Sequence, residues 1–253
     1  MIKVGISGIN GRMGRQVLDA VNKDSELELV FGADKFGVGD IVAPNVEITS
    51  NLQNANIADI VIDFTQPSCV FENIKTYLNM HVKSVIGTTG LKEEQIEEIR
   101  ALSAKNNTGI IIAPNFSIGA ILMMKFAKEA SKYFSNAEIL EFHHNQKKDA
   151  PSGTSIKTAQ LMAEVNSVFK NGNVQETETI QGARGGNCRD IQIHSIRVPG
   201  FIASQEVIFG ADGETFKIRH DTINRECYMK GVVMAVKYLY EHNEFIYGLE
   251  NII

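Results

Sequence analysis

Residues Ile2–Gly14 read IKVGISGINGRMG. Ile2–Ser7 is a short β-branched and apolar run, the pattern of a buried strand. Gly8, Ile9, Asn10, Gly11, Arg12, Met13 and Gly14 form a glycine-rich turn, and Arg15–Asn22 has helical character. Strand, glycine turn and helix in that order give the motif a mechanism. Glycines permit a tight turn, close approach of backbone to a pyrophosphate, and packing of helix on strand; the helix N-terminus then faces the phosphates. The spacing departs from G-x-G-x-x-G, because Asn10 stands where a second glycine is usual. Glycines in a tight turn also serve geometry alone, so the next element carries weight.

Leu27–Ala33 is apolar-rich and ends at Asp34, 20 residues after Gly14. An acidic residue at that place is set to bond the hydroxyls of an adenosine ribose. Lys35 follows at once and suits a 2′-phosphate. The pair predicts use of NADH, NADPH or both, and leaves the preference between them open. A loop or cap role is the plainer alternative for Asp34.

The alternation continues. Ala58–Phe64 reads as a strand followed by Thr65-Gln66-Pro67 and a helix from Ser68. Val82–Ile86 is a strand ending in Gly87-Thr88-Thr89-Gly90, before a charged helix over Lys92–Lys105. Thr108–Ala113 is a strand ending in Pro114-Asn115-Phe116, before a helix over Ile118–Tyr133. Strands alternating with helices predict a Rossmann-type, doubly wound parallel sheet with right-handed crossovers. Ligands of such sheets bind beyond the C-terminal strand ends. By that rule Gly87, Thr88, Thr89, Ala113, Pro114, Asn115 and Phe116 line the same crevice as the glycine turn, although for each segment taken alone a helix cap is the plainer reading.

Glu141–Thr154 reads EFHHNQKKDAPSGT. Ala137–Phe142 is a predicted strand, and Ala150-Pro151-Ser152-Gly153-Thr154 reads as a turn opening a helix, so the cluster falls on a strand-to-helix loop. Histidine as a residue type titrates near neutrality, so the adjacent His143 and His144 suit proton transfer. Lys147 and Lys148 supply positive charge, and the Ser-Gly-Thr turn can point N–H groups at an anion. Together they describe a pocket for a small anionic molecule that must be protonated; a solvated polar surface is the bland alternative.

Downstream the texture changes. Ser155–Val165 reads as a helix and Asn166–Asn173 as a loop. Thr177–Ile180, Ile191–Val198, Glu206–Ala211 and Thr215–His220 are short strand-like runs, with Gly210–Gly213 as a hairpin turn. These predict an α+β domain with an open, mostly antiparallel sheet. Gly182–Gly186 reads as a basic loop near the pocket or a subunit contact. Arg225–Glu241 carries apolar residues at helical spacing (Val232, Val233, Ala235, Val236, Leu239), a core stripe that packs back on the first domain. The expected division is a dinucleotide-binding domain over residues 1–116 and 225–253, and a substrate-binding and tetramerisation domain over 117–224.

The 253 residues suffice for ample core. With 43% hydrophobic and 22% charged residues and a net charge of −5, the chain reads as a soluble globular protein. The acidic balance argues against a nucleic-acid partner. No apolar run reaches the length of a membrane span, and the N-terminus lacks a signal-peptide layout. Cys69, Cys188 and Cys227 are few, odd in number and without metal-ligand spacing, so no metal is expected and the thiols read as reduced, in the cytoplasm.

These motifs, in this order, resemble the 4-hydroxy-tetrahydrodipicolinate (dihydrodipicolinate) reductase family over essentially the whole chain. The carriers are Gly8–Gly14 with Gly11-Arg12-Met13-Gly14 intact, Asp63-Phe64-Thr65, Gly87–Gly90, Ala113–Ser117, and His143-His144 through Lys147 and Asp149–Thr154. The last is the most specific. The resemblance implies NAD(P)H-dependent reduction of a small cyclic imine with two carboxylates, in lysine and diaminopimelate biosynthesis. It implies that Gly8–Met13 hold the pyrophosphate, Asp34 and Lys35 the adenosine end, and Gly87–Thr89 with Ala113–Phe116 the nicotinamide half. His143 is the implied proton donor, Lys147 a second one, and His144, Ser152, Gly153 and Thr154 the implied substrate contacts. A homotetramer and hinge closure are implied as well. Asn10, and Asn145-Gln146 in place of basic residues, are departures from the family pattern. Two rival readings are another two-domain NAD(P)-dependent oxidoreductase and a non-catalytic NADH sensor; the sensor leaves the His/Lys cluster idle.

Overall fold

The computed structural model describes residues 1–169 and 176–253. In chain order its elements are β1 (Ile2–Ser7), α1 (Arg12–Lys23), β2 (Leu27–Ala33), β3 (Ile41–Ala43), β4 (Val46–Thr49), β5 (Ile60–Asp63), α2 (Val70–Asn79), β6 (Lys83–Ile86), α3 (Glu93–Asn106), β7 (Ile110–Ile112) and α4 (Ile118–Ala130). Then come β8 (Asn136–His143), α5 (Gly153–Val165), β9 (Gly186–Cys188), β10 (Ile191–Arg197), β11 (Ala203–Ala211), β12 (Glu214–Thr222), α6 (Met229–Glu241) and β13 (Phe245–Tyr247). The chain divides into two compact units, Met1–Ile118 with Arg225–Ile253, and Gly119–Asn224.

The first unit is built on a sheet in the order β13-β7-β6-β5-β1-β2-β4-β3. Every neighbouring pair is parallel except β3 with β4. Its strands are apolar on both faces: Val4, Ile6, Ile60, Val61, Ile62 and Ile110–Ile112 are all buried, as a sheet covered by helices on each side requires. Strand order runs outward from β1 in one direction through β2, then returns to β5 on its other side. That reversal makes the C-terminal ends of β1 and β5 the switch point where a ligand crevice opens. Helix α2 buries Val70, Ile74, Tyr77 and Leu78. Helix α6 buries Val232, Ala235, Val236 and Leu239, while Val233 is only half-buried. Its C-terminal end is held by Lys83, whose ammonium donates to the carbonyls of Leu239 (2.9 Å), Tyr240 (2.9 Å) and His242 (3.0 Å).

The second unit carries a sheet in the order β12-β11-β8-β10-β9. Strands β8 and β10 are parallel; the other pairs are antiparallel. One face is apolar: Ile139, Ile193, Val207 and Phe209 pack with Ala127 of α4 and with Ala159 and Met162 of α5.

Some elements differ from the sequence reading. Thr177–Ile180 is not a strand. Both Glu178 carboxylate oxygens accept backbone N–H groups, from Gly182 and Arg184 at 2.9 Å each, and so bend the chain into a turn. The strand in that neighbourhood is β9, which begins at the last glycine of the basic loop. Arg184 of that loop is engaged within its own unit, by Glu138 (2.5 Å) and Glu176 (3.0 Å). Arg225–Tyr228 forms a 3-10 turn before α6. Strands β3, β4 and β13 had no distinct signal in the sequence. Of the loop expected over residues 166–173, residues 170–173 lie outside the described residues.

Candidate active site

In the first unit the glycine turn is shaped by contacts that exclude side chains. Gly8 has φ +78, and a Cβ there would stand 2.5 Å from the carbonyl oxygen of Phe64. A Cβ on Gly14 would stand 2.0 Å from the carbonyl oxygen of Gly8, so only glycine lets the first turn of α1 lie against the β1 terminus. Gly11 is the N-cap and no side chain caps the helix, leaving its first amides for a ligand. A pyrophosphate fits this arrangement. Asn10 links the turn to the end of β2: its backbone N–H donates to Asp34 Oδ2 (2.9 Å), and its side chain donates to the carbonyl of Phe36 (2.8 Å). Phe36 N–H donates to Asp34 Oδ1 (3.0 Å). Asp34 is thereby oriented with lone pairs to spare for ribose hydroxyls, and Lys35 beside it is exposed.

Beneath the crevice sits Asp63, the last residue of β5 and fully buried. Its carboxylate accepts from Thr65 N–H (2.9 Å), Thr65 Oγ1 (2.6 Å), Asn73 Nδ2 (2.9 Å), Tyr77 Oη (2.9 Å) and Thr88 Oγ1 (3.2 Å). Burial, and then the Asp63 charge, push the Tyr77 hydroxyl well above its ordinary value. Thr88's hydroxyl is therefore turned inward to Asp63, whereas Thr89 is exposed. Ala113 is buried, Pro114 exposed, and Asn115 accepts the N–H of Ser117 (2.9 Å). Phe116 is buried, its ring 5.7 Å from that of Phe64.

In the second unit the apolar sheet face changes character at one end. Along β8, Ala137 and Ile139 are succeeded on the same face by Glu141 and His143, because side chains on a strand alternate. Ser195 and Arg197 of β10 stand in register beside them. Glu141 is 0% exposed; one carboxylate oxygen accepts from His143 Nδ1 and the other from Arg197 Nη2 (2.7 Å). Burial alone would raise this carboxyl, but hydrogen bonds from His143, Arg197 and Ser195 override it and hold it down at about 2. Arg197 Nη2 also donates to the backbone carbonyl of Asp149 (2.9 Å), and the Asp149 carboxylate grips Lys147 Nζ at 2.7 and 2.8 Å. That ammonium keeps the Asp149 carboxyl below its ordinary value.

Ser152 caps α5, its Oγ accepting from Ser155 N–H (3.2 Å). A relay of Ser155 Oγ to Gln205 Oε1 (2.8 Å), and of Gln205 Nε2 to Thr158 Oγ1 (2.8 Å), pins this helix start to β11. Gly153 is the first helical residue, and a Cβ there would meet nothing within 4 Å. The helix start is open where Gly153 and Thr154 lie, a place for a carboxylate. His144 follows directly on β8, and its carbonyl accepts from Lys147 N–H (3.2 Å).

Sequence reasoning gave Glu141, Arg197 and Asp63 no role. Glu141 had a usable signal, since a residue two before a histidine on a strand shares its face. Arg197 had none: it lies 54 residues after His143, and only the β8–β10 pairing brings it there.

Two family models cover nearly all of the chain. One described as dihydrodipicolinate reductase, N-terminus, matches residues 2–116, and one described as dihydrodipicolinate reductase, C-terminus, matches residues 119–253. The 4-hydroxy-tetrahydrodipicolinate reductase of Lysinibacillus sphaericus is 44% identical over 263 residues, covering 100% of this chain and 99% of the relative. That of Listeria monocytogenes is 45% identical over 262 residues, covering 100% of both. A solved structure described as dipicolinate-bound dihydrodipicolinate reductase from Paenisporosarcina sp. TG-14 is 43% identical, with a TM-score of 0.90 and 100% of both chains covered. With both halves matched, and relatives this similar from end to end, the chain belongs to the dihydrodipicolinate reductase family, NAD(P)H-dependent oxidoreductases of lysine and diaminopimelate biosynthesis.

Proposed function

We propose that this chain reduces 4-hydroxy-tetrahydrodipicolinate to tetrahydrodipicolinate, the substrate hydroxyl leaving as water, with His143 and Lys147 supplying protons. The observation that carries the assignment is the pairing of two nitrogen donors, His143 and Lys147, each gripped by its own carboxylate, with the open start of α5. NADH or NADPH, when bound at the glycine turn, supplies the hydride. Gly8–Met13 hold the pyrophosphate, Asp34 the ribose hydroxyls, and Lys35 a 2′-phosphate. Gly87–Thr89 and Ala113–Phe116 hold the nicotinamide half. The substrate's carboxylates are taken by the amides of Gly153 and Thr154, by Ser152 and by His144. Dipicolinate, the molecule bound by the Paenisporosarcina relative, is likewise a six-membered cyclic dicarboxylate. Negative charge that develops on the substrate as hydride adds is met by the His143 and Lys147 protons.

We place the enzyme in the cytoplasm. Among the described residues no helix is long and apolar enough to cross a membrane, and Cys69, Cys188 and Cys227 form no disulfide, in keeping with a reducing compartment. We also infer a homotetramer built through the second unit's sheet. Edge strand β12 has nine residues and, among the described residues, pairs only with β11, an edge that self-association would cover. A molar mass in solution other than four chains would remove that part.

The deciding experiment follows NADH and NADPH oxidation at 340 nm while substrate is made from pyruvate and aspartate semialdehyde by the preceding synthase. Oxidation that depends on the synthase is expected, and the two rates rank the cofactors. His143→Gln and Lys147→Ala are each expected to lower kcat by 10²-fold or more while leaving NADH affinity within about twofold. Unchanged turnover in both variants would remove the proton-donor assignment, and no oxidation by protein that binds NADH would point to a sensor.

A further inference from the structure

We propose that Glu141 is a positioning residue that fixes His143 in the Nδ1–H form and leaves Nε2 as the nitrogen that exchanges protons with substrate. The proposal rests on the assignment of His143 as a proton donor and adds the group that decides which of its nitrogens acts.

A carboxylate fully out of water is costly unless its oxygens are satisfied. Glu141 is fully buried, on a sheet face that is apolar just before it, and its two oxygens are divided between His143 and Arg197. An ionised carboxylate only accepts, so the nitrogen of His143 that faces it must carry the hydrogen. The other nitrogen, Nε2, is then the acceptor in neutral imidazole and a second donor in imidazolium. As imidazolium, His143 breaks its Nε2–H bond to protonate the substrate atom bearing the electron pair that hydride addition leaves. The neutral ring keeps Nδ1–H on Glu141 and regains the Nε2 proton from water.

Arg197 gives the arrangement its second function. The same Nη2 that holds Glu141 also holds the Asp149 carbonyl, and the Asp149 carboxylate grips Lys147. One guanidinium thus ties the mounts of both donors together. The charged groups tied into this arrangement are Glu141 on the strand of His143, Arg197 on β10 and, through the Asp149 carbonyl, Asp149 with Lys147 on the following loop; Ser195 and Gln205 beside Glu141 carry no charge.

Glu141→Gln separates this role from a plain strand-to-strand tie. Glutamine keeps one carbonyl oxygen where the carboxylate serves His143 on one oxygen and Arg197 on the other, with Ser195 beside them, so either Arg197 or His143 meets an NH₂ group. Only a change of tautomer relieves the second case. The variant is expected to lose at least tenfold in kcat with KM and NADH affinity within about twofold. The high-pH fall of its rate should begin at lower pH, because imidazolium loses its counter-charge. If Glu141→Gln does not fold, nitrogen-15 histidine spectra of the wild type decide alone, the His143 signal being the one missing from His143→Gln. Hydrogen on Nδ1 across the neutral range supports the proposal; an Nε2–H tautomer overturns it. Full turnover and an unmoved pH profile in folded Glu141→Gln, alongside a crippled His143→Gln, would sink this proposal alone. Full turnover in His143→Gln would sink the underlying assignment.

Discussion

At the scale of single residues, the least forgiving position in the first unit is Asp63. Its five donors come from its own loop, from α2 and from the loop after β6, so one carboxylate sets the geometry of three segments that meet at the crevice. Asp63→Asn replaces an all-acceptor group with one that must present hydrogens to some of those donors. A loss of about 2–3 kcal/mol in urea unfolding is expected, together with weaker NADH binding in a fluorescence titration, since Thr88 loses its anchor. Retained stability and affinity would show that the donors find other partners. The sequence displayed Asp63 only as part of a family motif, because its burial and its partners Asn73 and Tyr77 are products of packing. His143, Lys147 and Asp34 could be singled out as candidates because their chemistry and local setting coincide. Thr88 shows the limit: its position was legible, but the inward turn of its hydroxyl follows from a partner 25 residues away.

At the scale of elements, strands and helices with strong periodicity were readable to within a few residues. Those completed by distant partners were not. β13 is three residues long and exists because β7 offers a parallel edge. Thr177–Ile180 alternates like a strand but lies where Glu178 gathers backbone amides instead. The end of α6 depends on Lys83, three of whose hydrogens close carbonyls left open by the last turn. Lys83→Met keeps the length of the side chain and removes those donors. A loss of about 1–3 kcal/mol is expected for bonds from a charged group, with faster amide exchange confined to the end of α6. Unaltered exchange there would mean that packing of Leu239, and not capping, holds the helix end.

At the scale of the molecule, the proposed sites divide the ligand types between the two units. NADH alone is expected to slow hydrogen exchange at the glycine turn and the end of β2. Dipicolinate alone is expected to slow it at the start of α5. Exchange measured by mass spectrometry on the intact chain checks this, and protection by NADH limited to the second unit would overturn the division. The α/β half was legible because each strand is followed by its helix. The second half was less so, since its sheet joins β8 to β10 across α5 and β9, a pairing no local pattern encodes.

The first unit is not contiguous in the chain: Arg225–Ile253 belongs with Met1–Ile118. A ribosome builds from the N-terminus, so this nucleotide-binding half emerges early and then waits through the synthesis of 106 further residues, Gly119–Asn224. Until α6 arrives, its apolar seat on the sheet is bare, and until β13 arrives, β7 is an open edge of three isoleucines. The intervening unit, whose strands and helices are contiguous, has all its parts before the first does. Order of emergence and order of completion therefore run in opposite directions, and the unfinished half is the one a nascent-chain chaperone would be expected to hold.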